Sequence, residues 1–485
     1  MSTFIGIDLG TTNLKILLFS LEKGIIDFES EKIQSFQEKE GYHEQDPSEW
    51  IKKTIRMLKI LIKRNKSYVS DINAIGFSGQ MHGLVVIDEE GDLLRPCMTW
   101  VDQRAKFESK YVSENIDIFE LTGNLSNPSF TLPKILWLKN KESKNYKNAK
   151  CFFQPKDYLR YALGKNKPLV TDKTDASATL LMDIKNQNWS KEIIETFDLD
   201  IKKLPEIKNS YEIVDILRKD IAQELGLKSD VYLIAGAGDQ EAAAVGLGIN
   251  EEDEEFISCG TAAQILRPTF DPILNKDCGL HLFCHPLNGW HYLGALQNAG
   301  NVLEWALKCL NLDYSDIEQI SGKEGNNLYF LPYLTGERTP IMDEDARGVW
   351  IGLNISHTKI DMLTSVLEGV AFSIKLAHEK ITNILGKEKV SYFIGGAAKS
   401  NKWSQIIANV VGRELVTLKL YESSAYGAAL LAAMGSESIT IKELSKYIPE
   451  TKKTIMPIDK ISNYYQTKFG KFSKLVQLEK AFRNY

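Results

Sequence analysis

The feature that most restricts the fold is a pattern that occurs twice. Near the start, Phe4-Ile-Gly-Ile-Asp8 reads as an apolar strand, Leu9-Gly-Thr-Thr-Asn13 as a tight polar turn, and Leu14 to Phe19 as a second strand. Far downstream, Glu255-Phe-Ile-Ser-Cys-Gly-Thr-Ala-Ala-Gln-Ile-Leu266 repeats strand, Gly-Thr turn, strand. Gly10-Thr11 matches Gly260-Thr261, whereas Asp8 has Ser258 as its counterpart, so one copy alone carries a carboxylate at the strand end. An internal repeat of this kind predicts two related domains, each aiming a Gly-Thr hairpin at one site. Such a turn offers N–H groups and hydroxyls to an anion. Asp8 offers oxygens to Mg²⁺ or to its waters. A plain hairpin with polar turn residues is the competing reading of each copy alone. At 485 residues the chain exceeds one ordinary core, which agrees with two domains. The acidic run Glu251 to Glu255 is a sensible place for the change of domain. The expected partition is 1–248, 249–438 and a charged helical tail over 439–485.

Charge and composition exclude several functions. The formal net charge of −5 advertises no basic face, which disfavours nucleic acid and anionic membrane as partners. The N-terminus lacks a basic segment followed by an apolar one, and no run approaches about 18 apolar residues. A signal peptide and a transmembrane helix are therefore not expected. Six scattered cysteines without a C-x-x-C pair fit reduced thiols in the cytoplasm. Cys278, His281, Cys284 and His285 crowd together, but their spacing fits no common zinc pattern.

The strongest chemical candidate lies mid-chain. A strand over Val231 to Ala235 runs into Gly236-Ala-Gly-Asp239-Gln240, and a small-residue helix follows from Ala242. Glycines at a strand-to-helix turn let another molecule approach the backbone. A carboxylate there can accept a proton from a substrate. An ordinary turn with an Asp cap is the alternative. His82 sits in the polar break Ser78-Gly-Gln-Met-His-Gly83 between two apolar strands, the kind of loop that carries binding residues. Trp100, Asp102 and Arg104 cluster at a strand end. There the Asp and Arg could hold a polyol or pair with each other. Gly395-Gly396 separates a strand over 390–394 from a helix that starts near Asn401, which would let a nucleotide reach the backbone. Asp46 and Pro47 start a helix with an expected buried face of Ile51, Ile55, Leu58 and Ile62. Leu363, Val366, Leu367, Val370, Ile374 and Ala377 define a second buried face, and Ser424 to Met434 is a small-residue helix suited to close packing on a sheet. The stretch from Thr122 to Asp183 reads as an insertion of loops and short helices covering a cleft.

Several of these landmarks, taken in order, resemble the FGGY family of carbohydrate kinases. They are Asp8-Leu-Gly-Thr-Thr, Gly-Gln-Met-His-Gly83, the Gly-Asp239 turn, Gly260-Thr261, Pro332-Tyr-Leu-Thr-Gly-Glu-Arg-Thr-Pro340 and Gly395-Gly396. Gln45-Asp-Pro47, Thr122-Gly-Asn124, Pro155-Lys-Asp-Tyr-Leu159 and the Met81-His82 pair narrow the likeness to the members that act on ketoses. The resemblance implies an α/β, two-domain actin- and hexokinase-like (ribonuclease H-like) fold. It implies a cleft between a mainly sugar-binding N-terminal domain and a mainly ATP-binding C-terminal one. The implied activity is ATP- and Mg²⁺-dependent phosphorylation of a ketopentose, D-xylulose foremost, at its 5-hydroxyl. Another ketose, a polyol or a sugar acid is the alternative substrate, and a non-catalytic sugar sensor is the less favoured class. By the same resemblance Asp239 is the general base and Asp8 the carboxylate near Mg²⁺. Met81 and His82 face the sugar, and Gln240 beside the base and Trp100 and Asp102 at their strand end are further candidate sugar contacts. Gly10, Thr11, Thr12, Gly260, Thr261, Gly396, Ala397 and Asn401 face ATP or its phosphates. A homodimer is implied as the assembly to test. The chain departs from the family pattern at Gln240, Ser129, Ile341, Ala262-Ala263 and Ala397. The first two bear on sugar identity, the last two on the nucleotide.

Overall fold

The computed structural model describes residues 2–320, 327–420 and 422–483. The chain forms two compact units. One comprises Met1–Asn250, Phe283–Trp290 and Leu420–Ile448, and the other Glu251–Leu282, His291–Lys419 and Pro449–Tyr485.

In the first unit, β1 (Thr3–Leu9), β2 (Asn13–Ser20) and β3 (Gly24–Lys32) form an antiparallel meander. β4 (Ile72–Gly79) lies parallel to β1 on its other side, followed by β6 (Tyr232–Ile234) and the antiparallel edge β5 (Ile213–Ile216). The sheet order is thus β5-β6-β4-β1-β2-β3, and the short strand β7 (Ala237–Gly238) pairs with the end of β4. Every residue of β1 is buried, because both faces of the sheet are covered. The helix Pro47–Arg64 covers one face. Asp46 caps it by accepting the Ser48 N–H at 2.9 Å, and Pro47 opens it. Its buried stripe is rotated from the expected one. Leu58 and Ile62 are buried as expected, together with Trp50, Met57 and Leu61, while Ile51 and Ile55 are only partly buried at the margin. The bulk of Trp50 decides the rotation, since it has most apolar area to gain.

The small-residue helices Asp239–Gly246 and Ser423–Gly435 cover the other face. Ser423–Gly435 approaches both the sheet and the helix Asp239–Gly246 backbone to backbone. A Cβ on Gly6 would stand 1.8 Å from the Ala425 carbonyl oxygen, one on Gly76 1.8 Å from that of Ala428, and one on Gly427 1.7 Å from that of Ala242. Glycine is required at these places for lack of space.

The second unit repeats the plan. β8 (Glu254–Cys259) pairs antiparallel with β9 (Ala263–Thr269) and parallel with β11 (Val390–Ile394). β10 (Trp290–Leu296) lies beyond β9. β12 (Leu415–Leu418) is parallel to β11, and β13 (Thr451–Ile455) closes the edge antiparallel. Six of the seven strands of this sheet, in the order β10-β9-β8-β11-β12-β13, repeat the order β3-β2-β1-β4-β6-β5. The short repeat in the sequence therefore marks a duplication of these six strands. One difference is local: Leu9 faces Leu14 whereas Cys259 faces Ala263, so the second turn is one residue shorter.

The C-terminal partition differs from the expected one. Residues 420–448 pack with the first unit, and the stretch after 449 carries strand β13 before its helix, Asp459–Arg483. The region is not a detached helical tail. The open edge of β12 takes up β13 as a partner, which satisfies backbone groups that would otherwise face water. The helix Lys359–Leu385 begins at a capping box of Thr358 and Asp361 and buries all six residues expected of it.

Candidate active site

In the first unit the functional candidates gather at the carboxyl ends of the parallel strands, where ligands of open α/β sheets bind. Asp8 is near the end of β1, Gln80 to His82 follow β4, and Asp239 follows β7, which pairs with β4 at Gly79. Asp8 is buried. Its Oδ1 accepts the Ser78 hydroxyl at 3.1 Å, and its Oδ2 lies 3.5 Å from the Lys15 ammonium. Lys15 also reaches Glu422 at 2.7 Å. Burial opposes its charge, but Asp8 and Glu422 overcome that and raise it to about 12.

Asp239 opens the helix Asp239–Gly246 as its first residue, with Gly238 in the cap position. The cap reading was therefore one residue off. The side chain is partly open by surface area yet densely surrounded by protein. That burial, followed by the charge of Asp8 and of Glu241, pushes its carboxyl up to about 7, against a hydrogen bond from Gln240 that stabilises the charged form. A carboxylate titrating near neutrality is suited to take a proton.

The Gly10-Thr11-Thr12 turn is tied to the loop after β4. The Thr11 hydroxyl donates to Gln80 Oε1 at 3.2 Å and accepts from Trp100 Nε1 at 2.7 Å. Gln45 donates to the Thr11 carbonyl at 2.7 Å and accepts from Gln80 at 3.0 Å. Trp100 and the Thr11 side chain thus brace the turn, and Thr12 is the exposed hydroxyl-bearing residue. Met81 is buried. His82 holds a left-handed backbone (φ 64°), and its Nδ1 is 2.7 Å from the Ala178 carbonyl oxygen. Its ring packs edge-on against Phe130 at 4.6 Å. The Lys134 ammonium donates to the His82 carbonyl at 2.8 Å and to that of Ser129, so Ser129 shares this wall. Gln240 is half-buried beside the base.

Asp102 departs from its expected place. It is fully buried, accepts the His43 N–H at 2.7 Å, and takes Arg104 Nε at 2.9 Å and Nη2 at 2.7 Å. The Asp–Arg pair satisfies itself, and both carboxylate oxygens are occupied. A polyol contact from Asp102 is not what this arrangement provides.

The second unit has its own loop cluster, again at the carboxyl ends of parallel strands. Gly260 donates to the Ala262 carbonyl at 2.9 Å. Gly395 (φ 94°) lies so close to β8 that a Cβ would meet the Cys259 carbonyl oxygen at 2.6 Å. Gly396 and the buried Ala397 follow directly, and the Ala397 carbonyl accepts from the Ser404 hydroxyl. Asn401 stands beyond this turn as the first residue of its helix, with its Oδ1 held by Lys453 at 2.8 Å. Two residues join the cluster that sequence reasoning did not assign. Gly300 donates to the Gly260 carbonyl at 2.9 Å and Asn301 to that of Thr261 at 3.1 Å, which sets the start of the helix Gly300–Leu310 against the Gly-Thr turn. The run Asn298-Ala-Gly-Asn301 ahead of an apolar helix was the available signal.

Cys278, His281, Cys284 and His285 form no cluster of metal-ligand spacing among the described residues. Glu255, His378 and Glu388 do, with ligand atoms within 4.8 Å of one another. Cations already serve these carboxylates. His378 Nε2 lies 3.2 Å from Glu255 and 3.4 Å from Glu388, Arg413 contacts Glu388, and Arg267 is 3.8 Å from it. The cluster is a buried ion-pair network that pins the helix Lys359–Leu385 to the sheet. Burial disfavours the charged imidazole, but Glu255 and Glu388 outweigh it and raise His378 to about 9. A raised histidine contributes stability that is present in full below its unfolded value near 6.5 and is lost as pH climbs through 9. The contribution amounts to up to about 3 kcal/mol. The melting temperature is expected to fall between pH 6.5 and 9.5, and His378→Gln should flatten that fall. An equally steep profile in the variant would contradict the assignment.

Two sheets of one topology, each with glycine turns at the carboxyl ends of its parallel strands, make a duplicated α/β fold, and the first sheet carries Asp8 and Asp239 at those ends. Family models for the N-terminal and C-terminal domains of the FGGY family of carbohydrate kinases match residues 3–246 and 256–436. The chain belongs to the FGGY family. It is 35% identical to a xylulose kinase of Staphylococcus xylosus over 97% of this chain and 99% of that one. Among solved structures it is similar to a ligand-bound xylulose kinase from Lactobacillus acidophilus (TM-score 0.93, 27% identity, 99% of each chain). It is also similar to a gluconate kinase from the same organism (TM-score 0.90, 28% identity, 98% of each chain). ATP as phosphoryl donor and a divalent metal follow from the family. No helix among the described residues is long and apolar enough to cross a membrane.

Proposed function

We propose that the chain transfers the γ-phosphoryl group of ATP to the 5-hydroxyl of D-xylulose. The observation that carries this reading is Asp239, a carboxylate held near pKa 7 in the same unit as Asp8 and the Met81-His82 loop. Asp239 takes the proton of the sugar hydroxyl as its oxygen forms the new bond to phosphorus. The bond from the γ-phosphorus to its bridging oxygen breaks, and ADP leaves with that oxygen. Met81, His82 and Trp100 line the sugar side, with Gln240 next to the reacting hydroxyl. Gly10 and Thr12 serve the phosphates. Gly260, Thr261, Gly396 and Ala397 serve the nucleotide. Phosphoryl transfer asks mainly for positioning and charge neutralisation, which such glycine turns supply through backbone N–H groups.

Asp8 fits a hard divalent cation. It is a buried oxygen donor close enough to Asp239 for the two charges to interact, and Mg²⁺, an ion that keeps most of its waters, needs only one or two such carboxylates. When bound, the ion neutralises charge on the phosphates. An enzyme that consumes ATP belongs in the cytoplasm, and the cysteines, all free, agree.

The relatives' names favour xylulose. A second reading, another ketose, a polyol or a sugar acid, is favoured by Gln240 and Ser129, because one changed polar group in a hydrogen-bonding pocket can redirect specificity. ADP release measured over xylulose, ribulose, polyols and gluconate tests both. Higher kcat/KM on any of the others than on xylulose would replace the first reading. His82→Ala is expected to raise KM for the sugar at least tenfold, as expected for one lost hydrogen-bonding contact in a buried site, with KM for ATP changed less than twofold. An effect confined to ATP would contradict the placement of this loop.

A further inference from the structure

The base turn hangs from a buried hub that touches no substrate in the reading above. Asp172, fully buried, is the hub. Its Oδ2 accepts the Thr174 hydroxyl at 2.7 Å and the Ser210 hydroxyl at 2.7 Å. Thr174 Oγ1 in turn accepts the Gly238 N–H at 2.9 Å, and the Ser210 carbonyl accepts the Gly236 N–H at 2.8 Å. Both ends of Gly236-Ala237-Gly238, the turn that delivers Asp239, are therefore tied to one carboxylate.

The hub is itself held. Lys156, wholly enclosed, contacts Asp172 at 2.9 Å, Asp157 at 2.7 Å and Asp175 at 3.0 Å. Asp157 also accepts the Thr171 hydroxyl at 2.6 Å. An ammonium held between Asp157 and Asp172 in a dry interior, beside an Asp175 whose carboxyl burial pushes well above its usual range, has little freedom to move, since any displacement would leave a charge unpaired. The helix Lys173–Ser177 that starts at this hub ends at Ala178, whose carbonyl oxygen meets His82 Nδ1 at 2.7 Å. One short rigid segment thus grips the base turn at its start and the sugar-loop histidine at its end.

We propose that residues 172–178, anchored on Lys156, form a strut that sets the distance between Asp239 and the sugar loop, with Thr174 and Asp172 as positioning residues. The strut makes no bond to substrate. It works by limiting misplacement of the base, and a displacement of about 1 Å at a reacting centre costs on the order of 10²-fold in rate. This inference rests on Asp239 being the base.

The test compares Thr174→Val, Thr174→Ser and Asp239→Asn in the full-length enzyme. Thr174→Val keeps the shape but removes the acceptor for Gly238 N–H. It is expected to lower kcat by about 10- to 100-fold while leaving KM for ATP within about twofold. Thr174→Ser, which keeps the hydroxyl, should stay within about threefold of the parent. The acid limb of the pH–rate profile should persist in Thr174→Val, because the base is still there but misplaced. Should Thr174→Val not fold, Thr174→Ala carries the same comparison. A valine variant with parental kcat per folded molecule, or a serine variant as impaired as valine, would overturn the strut. A silent Thr174→Val beside an inactive Asp239→Asn sinks the strut alone. An active Asp239→Asn sinks the base assignment and the strut with it.

Discussion

Asp239→Asn is expected to lower kcat by about 10²- to 10⁴-fold, the range that a general base supplies, while sugar binding stays measurable by calorimetry. The asparagine keeps the shape of the side chain and its hydrogen-bonding contact with Gln240 but cannot take a proton. The pH dependence adds a second signature. Asp239 is pushed up to about 7, first by burial and then by Asp8 and Glu241. The active form is the carboxylate, so kcat/KM of the parent should rise with pH through an apparent pKa near 7. The residual activity of the variant should lack that limb. Stability supplies a control. A carboxyl whose folded pKa lies above its unfolded one binds more protons folded than unfolded, so its ionisation weakens the fold as pH rises through that interval. Asparagine should therefore leave the melting temperature unchanged or raised at pH 8. Catalysis within tenfold of the parent would place the base elsewhere.

The second large effect concerns the fold. Gly427→Ala is expected to destabilise the first unit by more than about 3 kcal/mol, the upper part of the overpacking range. Alanine is ordinarily the better helix former by up to about 1 kcal/mol. At Gly427 its methyl group would stand 1.7 Å from the Ala242 carbonyl oxygen, a backbone atom that cannot rotate away. The clash outweighs the propensity gain, and the two helices must part. Gly470, in the helix Asp459–Arg483, is the contrasting case, because a Cβ there meets nothing within 4 Å. Gly470→Ala should raise the melting temperature slightly. Thermal melts of the two variants with the parent decide the matter. A Gly427→Ala protein as stable as the parent would mean that the helices have room to separate.

What could be read from the chain alone follows from the range over which each signal acts. The Gly-Thr hairpins were legible because strand alternation and turn residues are local, and the matching order of the two sheets extends them. The face of the helix Lys359–Leu385 was legible for the same reason. The stripe on Pro47–Arg64 was misjudged because spacing alone gave Ile51 and Ile55 the weight that the larger Trp50 takes in the packed core. Strand β13 was missed because Thr451-Lys-Lys-Thr-Ile455 is mostly exposed and reads as charged helix until the open edge of β12 pairs with it. In the site, Asp239 and His82 stood out by their glycine-flanked turns. Asp102 could not be decided, since whether an Asp and an Arg two residues apart pair with each other depends on what surrounds them. The hub was illegible because Lys156, the segment Asp172 to Thr174, Ser210 and Gly238 are far apart in the chain and only tertiary structure brings them together.

The helix Ser423–Gly435 belongs to the first unit although most of the second lies before it in the chain. A nascent chain therefore makes β1 to β4 early but leaves the part of that face around Gly6 and Gly76 bare until the ribosome has passed Gly435. Gly6 and Gly76 wait for Ala425 and Ala428 throughout. The domain that begins first is finished last. During synthesis its apolar face is exposed to other chains for most of the time that translation takes. Any early stop between residues 250 and 423 leaves that face open, so truncated products should be insoluble or chaperone-bound rather than functional half-enzymes.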